Sequence, residues 1–369
     1  MRIRPFDERD VPQVASLWQY WFRDKRRTPD ADLVELVRRI YVERPGGDPD
    51  VSSLVADDGR GAMLGFLGVT ATPVIVDGQH RTLAGVFPSV VAPEASTTVA
   101  SLLLRKFLAG PQALTISDGG HVKFERIWKV LGGGIAPTAS LRWIKLLRPA
   151  RLGGDRILLR RGYGRALQPV WEPLARGVDT VIRRARPESF RASASGYQGE
   201  PLTPVDLIAT IEEQHARTRL RPDYDERYLA WLFREMAKIP GQGAFHATRV
   251  RAPDGAVAGW WVAYLQRGGV SRVFALDATE RHLGGIVDQL FEQADAAGVG
   301  ALLGRFEPKL RGPLATRGTF VHNGGSLQMI HSTDPSVQAD ALLGRLAFSR
   351  LEGENWYWWG IAAPSAGAD

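Results

Sequence analysis

Val11, Val14, Ala15, Trp18, Trp21 and Phe22 recur every three or four residues behind Asp7 and Asp10. That is the spacing of a helix that buries one face and opens on acidic start signals. Leu33, Leu36, Val37 and Ile40 repeat the pattern, so a second helix follows. From Ser53 the period shortens to that of strands: Ser53–Ala56, Ala62–Thr72 and Arg81–Val91, joined at Asp58-Gly59 and Asp77-Gly78. Asp-Gly supplies the positive φ of tight hairpin turns, and an antiparallel meander results. Val99, Leu102, Leu103 and Phe107 mark a helix, Ala113–Ile116 a short strand, Phe124–Leu131 a helix ended by Gly132-Gly133-Gly134, and Ala139–Leu147 a last strand. With a strand at Arg2–Arg4 in front, the order is β-α-α-β-β-β-α-β-α-β.

The second half repeats this order without obvious residue identity. Helices are expected at Val205–His215 and Tyr228–Met236, and strands at Ala244–Val250, Val257–Leu265 and Ser271–Leu276. A long helix at Glu280–Ala297 precedes a strand at Ala301–Phe306, a short helix at Leu310–Thr316, and strands at Thr319–His322 and Leu327–His331. Between the halves RLGGDR, RRGYGR and RASASGYQGE read as loops. Val170, Trp171, Leu174, Val178, Val181 and Ile182 nevertheless recur there at helical spacing. They predict one amphipathic helix, for which packing against the domains outranks a membrane surface. The domains expected are 1–150 and 201–369, with a basic linker at 151–200.

At 369 residues, two domains are the ordinary expectation, and 44% apolar with 24% charged side chains excludes collagen-like, disordered and coiled-coil chains. Cysteine is absent, which removes disulfide frameworks, thiolate zinc sites and cysteine nucleophiles. The net charge is +7, yet residues 142–191 alone carry thirteen Lys/Arg against four Asp/Glu. That stretch has no zinc-finger, RNP or helix-turn-helix pattern, so an anionic ligand outranks DNA. The N-terminus lacks the apolar core of a secretory signal, and Leu83–Leu104 is broken by Pro88, Pro93 and Glu94, which a bilayer helix tolerates poorly. A cytoplasmic protein is expected.

The segment Val91-Ala92-Pro93-Glu94-Ala95-Ser96-Thr97-Thr98-Val99-Ala100 lies between the fourth strand and the next helix. With the element order, it resembles the GNAT superfamily of acyl-CoA-dependent N-acyltransferases, which usually carry V-x-P-x-x-[RQ]-G-x-G-[GA] there. Val91, Pro93 and Glu94 match; Ser96, Thr97 and Val99 stand where Arg/Gln and glycines are usual. The resemblance implies α/β (α+β) architecture in two tandem GNAT-like domains, each a mixed, mostly antiparallel twisted sheet flanked by helices. It also implies acetyl-CoA or another acyl-CoA as co-substrate. Successive N–H groups at a helix N-terminus would cradle the pyrophosphate, which assigns Val91, Ser96, Thr97, Thr98, Val99 and Ala100 to that role. In the second half Arg281, Gly284 and Gly285 form a partial match, with close helix packing as the competing reading of the glycine pair.

The run Leu346–Trp356 looks like the ends of bacterial GNAT-like proteins that accompany exopolysaccharide and other glycan pathways. It implies a small or glycan-linked amine as acceptor. Trp356, Tyr357, Trp358 and Trp359 read as core or interface before they read as a sugar platform.

Acyl transfer from a thioester to an amine needs a proton acceptor, a donor aimed at the thioester oxygen, and a proton for the leaving thiolate. In the GNAT fold these groups sit where the fourth and fifth strands splay, which here points to Asp118 and His121 as a carboxylate–imidazole pair. The alternative is a helix N-cap at Ser117 or Asp118 with His121 solvated. The usual tyrosine of the following helix is missing from Lys123-Phe124-Glu125-Arg126-Ile127-Trp128. No metal motif emerges from the seven histidines. Two other functions stay open: a non-catalytic binding protein, and a Fem-type transferase taking aminoacyl-tRNA through the basic linker, with tRNA ranked below acyl-CoA. Peripheral membrane contact through that linker also stays open.

Overall fold

The computed structural model describes residues 1–160 and 164–362; the side chains of Pro88, Lys123 and residues 155–170 lie outside the description. The first half runs β1 (Arg2–Pro5), α1 (Val11–Phe22), α2 (Ala31–Tyr41), β2 (Leu54–Asp57), β3 (Met63–Val76), β4 (Gln79–Val91), α3 (Thr98–Leu108), β5 (Leu114–Gly120), α4 (Val122–Val130), β6 (Gly134–Ala136) and β7 (Leu141–Leu146). Local chemistry explains the starts and faces. The Asp30 side chain accepts from Leu33 N to cap α2, which buries Leu33, Leu36, Val37 and Ile40, as its spacing predicts. Asp77 and Gly78 both take positive φ between β3 and β4.

Next come α5 (Pro149–Arg160), α6 (Gly164–Ala185) and α7 (Pro187–Phe190). The second half contains β8 (Gln198–Pro201), α8 (Pro204–His215), β9 (Leu220–Pro222), α9 (Glu226–Ala237), β10 (Ala244–Arg251), β11 (Val257–Leu265), β12 (Val270–Ala278) and α10 (Leu283–Ala296). It ends with β13 (Ala301–Arg305), α11 (Arg311–Ala315), β14 (Thr319–Asn323), β15 (Leu327–His331), α12 (Pro335–Leu342) and α13 (Asn355–Ala362).

Two compact units emerge, and their boundaries are not the expected 1–150 and 201–369. The first unit gathers Met1–Ser140, Ile211–Gly241 and the segment from Gly325; the second gathers Leu141–Thr210 and Gln242–Gly324. The cause is an exchange of strands. β7, from the first half, pairs with β13 and β14, while β15, from the second half, pairs with β5 and β6. Periodicity identifies a strand but not its neighbour, so the exchange left no mark in the apolar pattern.

In the first unit the sheet order is β1-β2-β3-β4-β5-β15-β6, with β9 added against β3; in the second it is β14-β7-β13-β12-β11-β10-β8. Each sheet has one parallel pair, β4 with β5 and β12 with β13, and the remaining ladders are antiparallel. A parallel pair needs a crossover connection, supplied by α3 in one unit and α10 in the other. The fold is therefore mixed and mostly antiparallel in both units, as expected. Leu67, Val69, Ala84, Val99, Leu103, Phe107 and Trp128 pack one core of the first unit, and Leu83, Leu114, Ile116, Ile330 and Val337 another. Trp143, Trp261, Val287, Leu290 and Phe291 centre the core of the second.

The loops expected between the halves are replaced in part by helix. RLGGDR lies inside α5, because Asp179 accepts from Ala150 N (2.7 Å) and Arg151 N (3.2 Å) and so caps that helix from a distance in sequence. Gly154 has no room for a Cβ, since the Trp171 ring lies over it. RRGYGR spans 161–163, which, like the Val170 side chain, are outside the described residues; RASASGYQGE leads into β8. Trp356 and Tyr357 are core residues of the first unit, 1% and 0% exposed.

In the second unit Lys145 is wholly buried, and its Nζ donates to Ser189 O (2.9 Å) and Arg317 O (2.7 Å) above the Phe291 ring. Burial pushes its pKa down to about 8. An unfolded lysine titrates near about 10.4, so between those values the unfolded chain binds the extra proton and stability rises with pH. Lys145→Met is expected to abolish that rise and to lower stability by about 1–3 kcal/mol, because buried carbonyls lose their donor. Denaturant titrations at pH 8 and pH 10 measure both effects.

Candidate active site

β4 and β5 pair only over Leu83–Gly85 and Leu114–Ile116, although β4 continues to Val91 and β5 to Gly120. Beyond Gly85 the strands part. On its other side β4 carries an irregularity, since Val69 pairs with Val86 but Leu67 with Ser89, which leaves one extra residue in β4. Such a bulge turns a backbone group out of the ladder. Phe87 O accepts from Tyr41 Oη (2.8 Å) and from Tyr357 Oη (2.9 Å). The opposite strand makes room: a Cβ on Gly68 would lie 2.2 Å from the Tyr41 hydroxyl. Burial raises the pKa of both tyrosines, so both hydroxyls keep their protons at neutral pH.

The segment Glu352-Gly353-Glu354 lies against the parting strands. A Cβ on Gly85 would meet Glu352 O at 2.7 Å, and a Cβ on Gly353 would meet Asp118 Oδ2 at 2.2 Å. Three carboxyl groups are thus buried together, Asp118, Glu352 and Glu354 each being 1% exposed. Their environments differ. Glu352 is engaged at both oxygens: Tyr224 Oη donates to Oε1, and Ser349 N (2.6 Å) and Oγ (3.0 Å) donate to Oε2. Glu354 Oε1 accepts from Gly119 N (2.6 Å) and Ser117 Oγ (3.1 Å), and the Asp118 N–H also donates to this carboxyl group. Its Oε2 is buried and has no hydrogen-bond partner among the described residues.

Desolvation pushes the Glu354 pKa up, and the nearby Asp118 carboxyl pushes it further, to about 8. Burial also raises Glu352. Arg44 brings a positive charge to the region: it donates to Thr72 Oγ1 (2.8 Å) and Tyr228 Oη (3.0 Å), its guanidinium 4.9 Å from the Tyr228 ring centre. Of the three carboxyl groups, Glu354 combines an oxygen without a partner with a pKa close to neutrality, the state a proton acceptor needs.

Asp118 lies on β5 beside Gly353. His121 is exposed at the start of α4. Glu354 was missed. Its signal was two glutamates around a glycine in LEGENWYWW, a run otherwise rich in buried aromatic residues.

At the β4–α3 turn, Ser96, Thr97 and Thr98 are exposed at the helix N-terminus, while Val99 is buried against Gly65. Ser96 already serves this turn: its Oγ lies 2.8 Å from Thr98 Oγ1 and its carbonyl accepts from Val99 N. In the second unit the glycines at the start of α10 are covered. A Cβ on Gly285 would lie 2.2 Å from the Tyr197 ring, and one on Gly284 would lie 3.0 Å from the guanidinium of Arg317, itself paired with Asp288. Tyr197 Oη lies 3.0 Å from His282 Nδ1. Close packing thus accounts for Gly285, whereas Gly284 meets only the end of the Arg317 side chain, and Arg281 beside them is exposed.

No family model and no curated protein sequence matches the chain. Solved structures do. It is similar to a GCN5-related N-acetyltransferase from Anabaena variabilis at 10% identity and a TM-score of 0.57, over 90% of this chain and 73% of that one. A GCN5-related N-acetyltransferase from Kribbella flavida matches at 14% identity and a TM-score of 0.51, over 94% and 74%. N-myristoyltransferase from Saccharomyces cerevisiae, solved with bound myristoyl-CoA and inhibitors, matches at 10% identity and a TM-score of 0.52, over 89% and 79%. The likeness is one of fold: the chain has the architecture of GCN5-related N-acyltransferases.

The raised Glu354 pKa sets a pH dependence of stability. An unfolded glutamate titrates near about 4.3, so between that value and about 8 the folded chain holds the extra proton and stability falls as pH rises. Glu354→Gln keeps the neutral form at every pH. The stability difference, variant minus parent, is expected to grow from pH 5 to pH 8, as read from denaturant midpoints.

Proposed function

We propose that the chain is an acyl-CoA-dependent N-acyltransferase whose active centre lies where β4 and β5 part in the first unit. The observation that carries this reading is Glu354: buried, held by Ser117 and Gly119, with a free oxygen and a pKa of about 8. The acceptor amine's proton passes to Glu354 Oε2, which is buried in the free protein and which substrate binding must uncover, as nitrogen attacks the thioester carbonyl. The carbon–sulfur bond then breaks, the acyl group stays on nitrogen as an amide, and the coenzyme leaves as a thiolate that takes a proton from solvent. Asp118 tunes the acceptor by raising its proton affinity. His121, exposed three residues along the chain, relays the proton to solvent in this reading.

The donor is acetyl-CoA or another acyl-CoA, its pyrophosphate at the N-terminus of α3 with the amides and hydroxyls of Ser96 to Ala100. The first unit is preferred over the second because Tyr197 and Arg317 already lie over Gly285 and Gly284. The acceptor is a small or glycan-linked amine.

Catalysis by Glu354 requires its ionised form, so kcat is expected to rise with pH through about 8. Glu354→Gln is expected to lower kcat at least about a hundredfold, the usual scale of general-base catalysis, while acyl-CoA binding persists. An unchanged kcat in that variant sinks the assignment. For donor binding, acetyl-CoA at about 100 times its dissociation constant is expected to stabilise the parent by about 2.7 kcal/mol. Thr97→Glu places an anion against an anion and should abolish that stabilisation. It should not destabilise the free protein, since an acidic side chain suits a helix N-terminus. Thermal shifts with and without acetyl-CoA separate the two effects.

A further inference from the structure

The helix α6 has two faces of different kind. Toward α5 it buries Ala175 and Asp179, and Trp171 lies over Gly154. On the other side Leu174, Val178 and Val181 follow at steps of four and three, and they are 60%, 47% and 67% exposed. Those steps keep three branched apolar side chains in one stripe about 10 Å long. Single exposed apolar residues are commonplace, but an aligned stripe on a helix whose other side is already packed asks for an occupant.

Charge identifies it. Arg184, Arg186 and Arg191 follow the stripe and are exposed, and none is ion-paired among the described residues. A second copy docking by the same stripe would bring two sets of these exposed arginines together, which electrostatics opposes. A surface that is apolar just beneath a negatively charged layer satisfies both features at once. No helix among the described residues is long and apolar enough to cross a membrane, so the contact is a peripheral one.

We infer that α6 docks on the surface of an anionic lipid bilayer, with Leu174, Val178 and Val181 entering the headgroup–acyl boundary and Arg184, Arg186 and Arg191 against lipid phosphates. The helix lies in the membrane plane. The inference is independent of the acyl-transfer reading, since it uses none of that site's residues.

Flotation of the full chain with vesicles tests it. Vesicles of phosphatidylglycerol and phosphatidylcholine in equal parts should carry the protein, pure phosphatidylcholine vesicles should not, and the association should weaken as salt rises. The combined variant Leu174→Ser, Val178→Ser, Val181→Ser should reduce partitioning at least tenfold with an unchanged melting temperature. Arg184→Glu with Arg186→Glu should reduce it and flatten the salt dependence, which keeps the test intact if the triple variant fails to fold. No association with anionic vesicles, or equal association with both kinds, overturns the inference. So does vesicle binding that both variants leave intact. A parent dimer that the triple variant dissociates would assign the stripe to a second copy. Salt-dependent binding of unfractionated tRNA without vesicle binding would assign the arginines to nucleic acid.

Discussion

A buried backbone group needs a hydrogen-bond partner, and where β4 and β5 diverge the sheet stops supplying one. The first unit meets that need with side chains. Tyr41 and Tyr357 satisfy the Phe87 carbonyl turned out by the bulge, and Glu354 receives N–H groups from the end of β5. Much follows from this one accommodation. To deliver Glu354, the chain between α12 and α13 must cross the sheet, which explains why Gly85 and Gly353 leave no room for a Cβ. To deliver Tyr41, α2 must end over Gly68. The carboxyl group that closes the gap is therefore buried, and burial together with Asp118 raises its pKa to about 8. A structural repair and a chemically useful acid are the same residue.

The second unit shows the same divergence with a different solution. β12 and β13 pair over Val270–Val273 and Ala301–Gly304, after which β12 runs on to Ala278. There Asp277 Oδ1 accepts from Ala278 N (2.9 Å) and from Lys309 Nζ (2.6 Å), and Glu307 bridges Lys309 and Arg305. Acid meets base in this set, so the charges compensate one another. The first unit sets acid beside acid. This contrast, rather than the repeated topology, is what distinguishes the two units chemically.

Much of the fold was legible from periodicity, because most elements bury one face and so print their spacing on the sequence. The α2 helix and the β3–β4 hairpin are read from Leu33, Leu36, Val37 and Ile40 and from Asp77-Gly78 without further help. What escaped has tertiary causes. α5 contains Gly153-Gly154 and reads as a loop, but Asp179 caps it and Trp171 needs the missing Cβ. The exchange of β7 and β15 is invisible because an alternating strand fits either sheet. Where β4 and β5 part, Asp118 is read from its place in the strand order, whereas Glu354 beside it lies more than two hundred residues away in sequence. Spacing cannot join them; only folding does.

The account stands on one physical quantity, the proton affinity of Glu354 in the folded protein. Glutamate labelled with 13C at the side-chain carboxyl carbon, titrated by NMR in the parent and in Glu354→Gln to assign the resonance, measures it directly. The expected result is one carboxyl resonance, missing from the variant, that titrates near pH 8, well above the exposed glutamates. A Glu354 resonance that titrates between about pH 4 and 5, as ordinary glutamates do, would contradict the account.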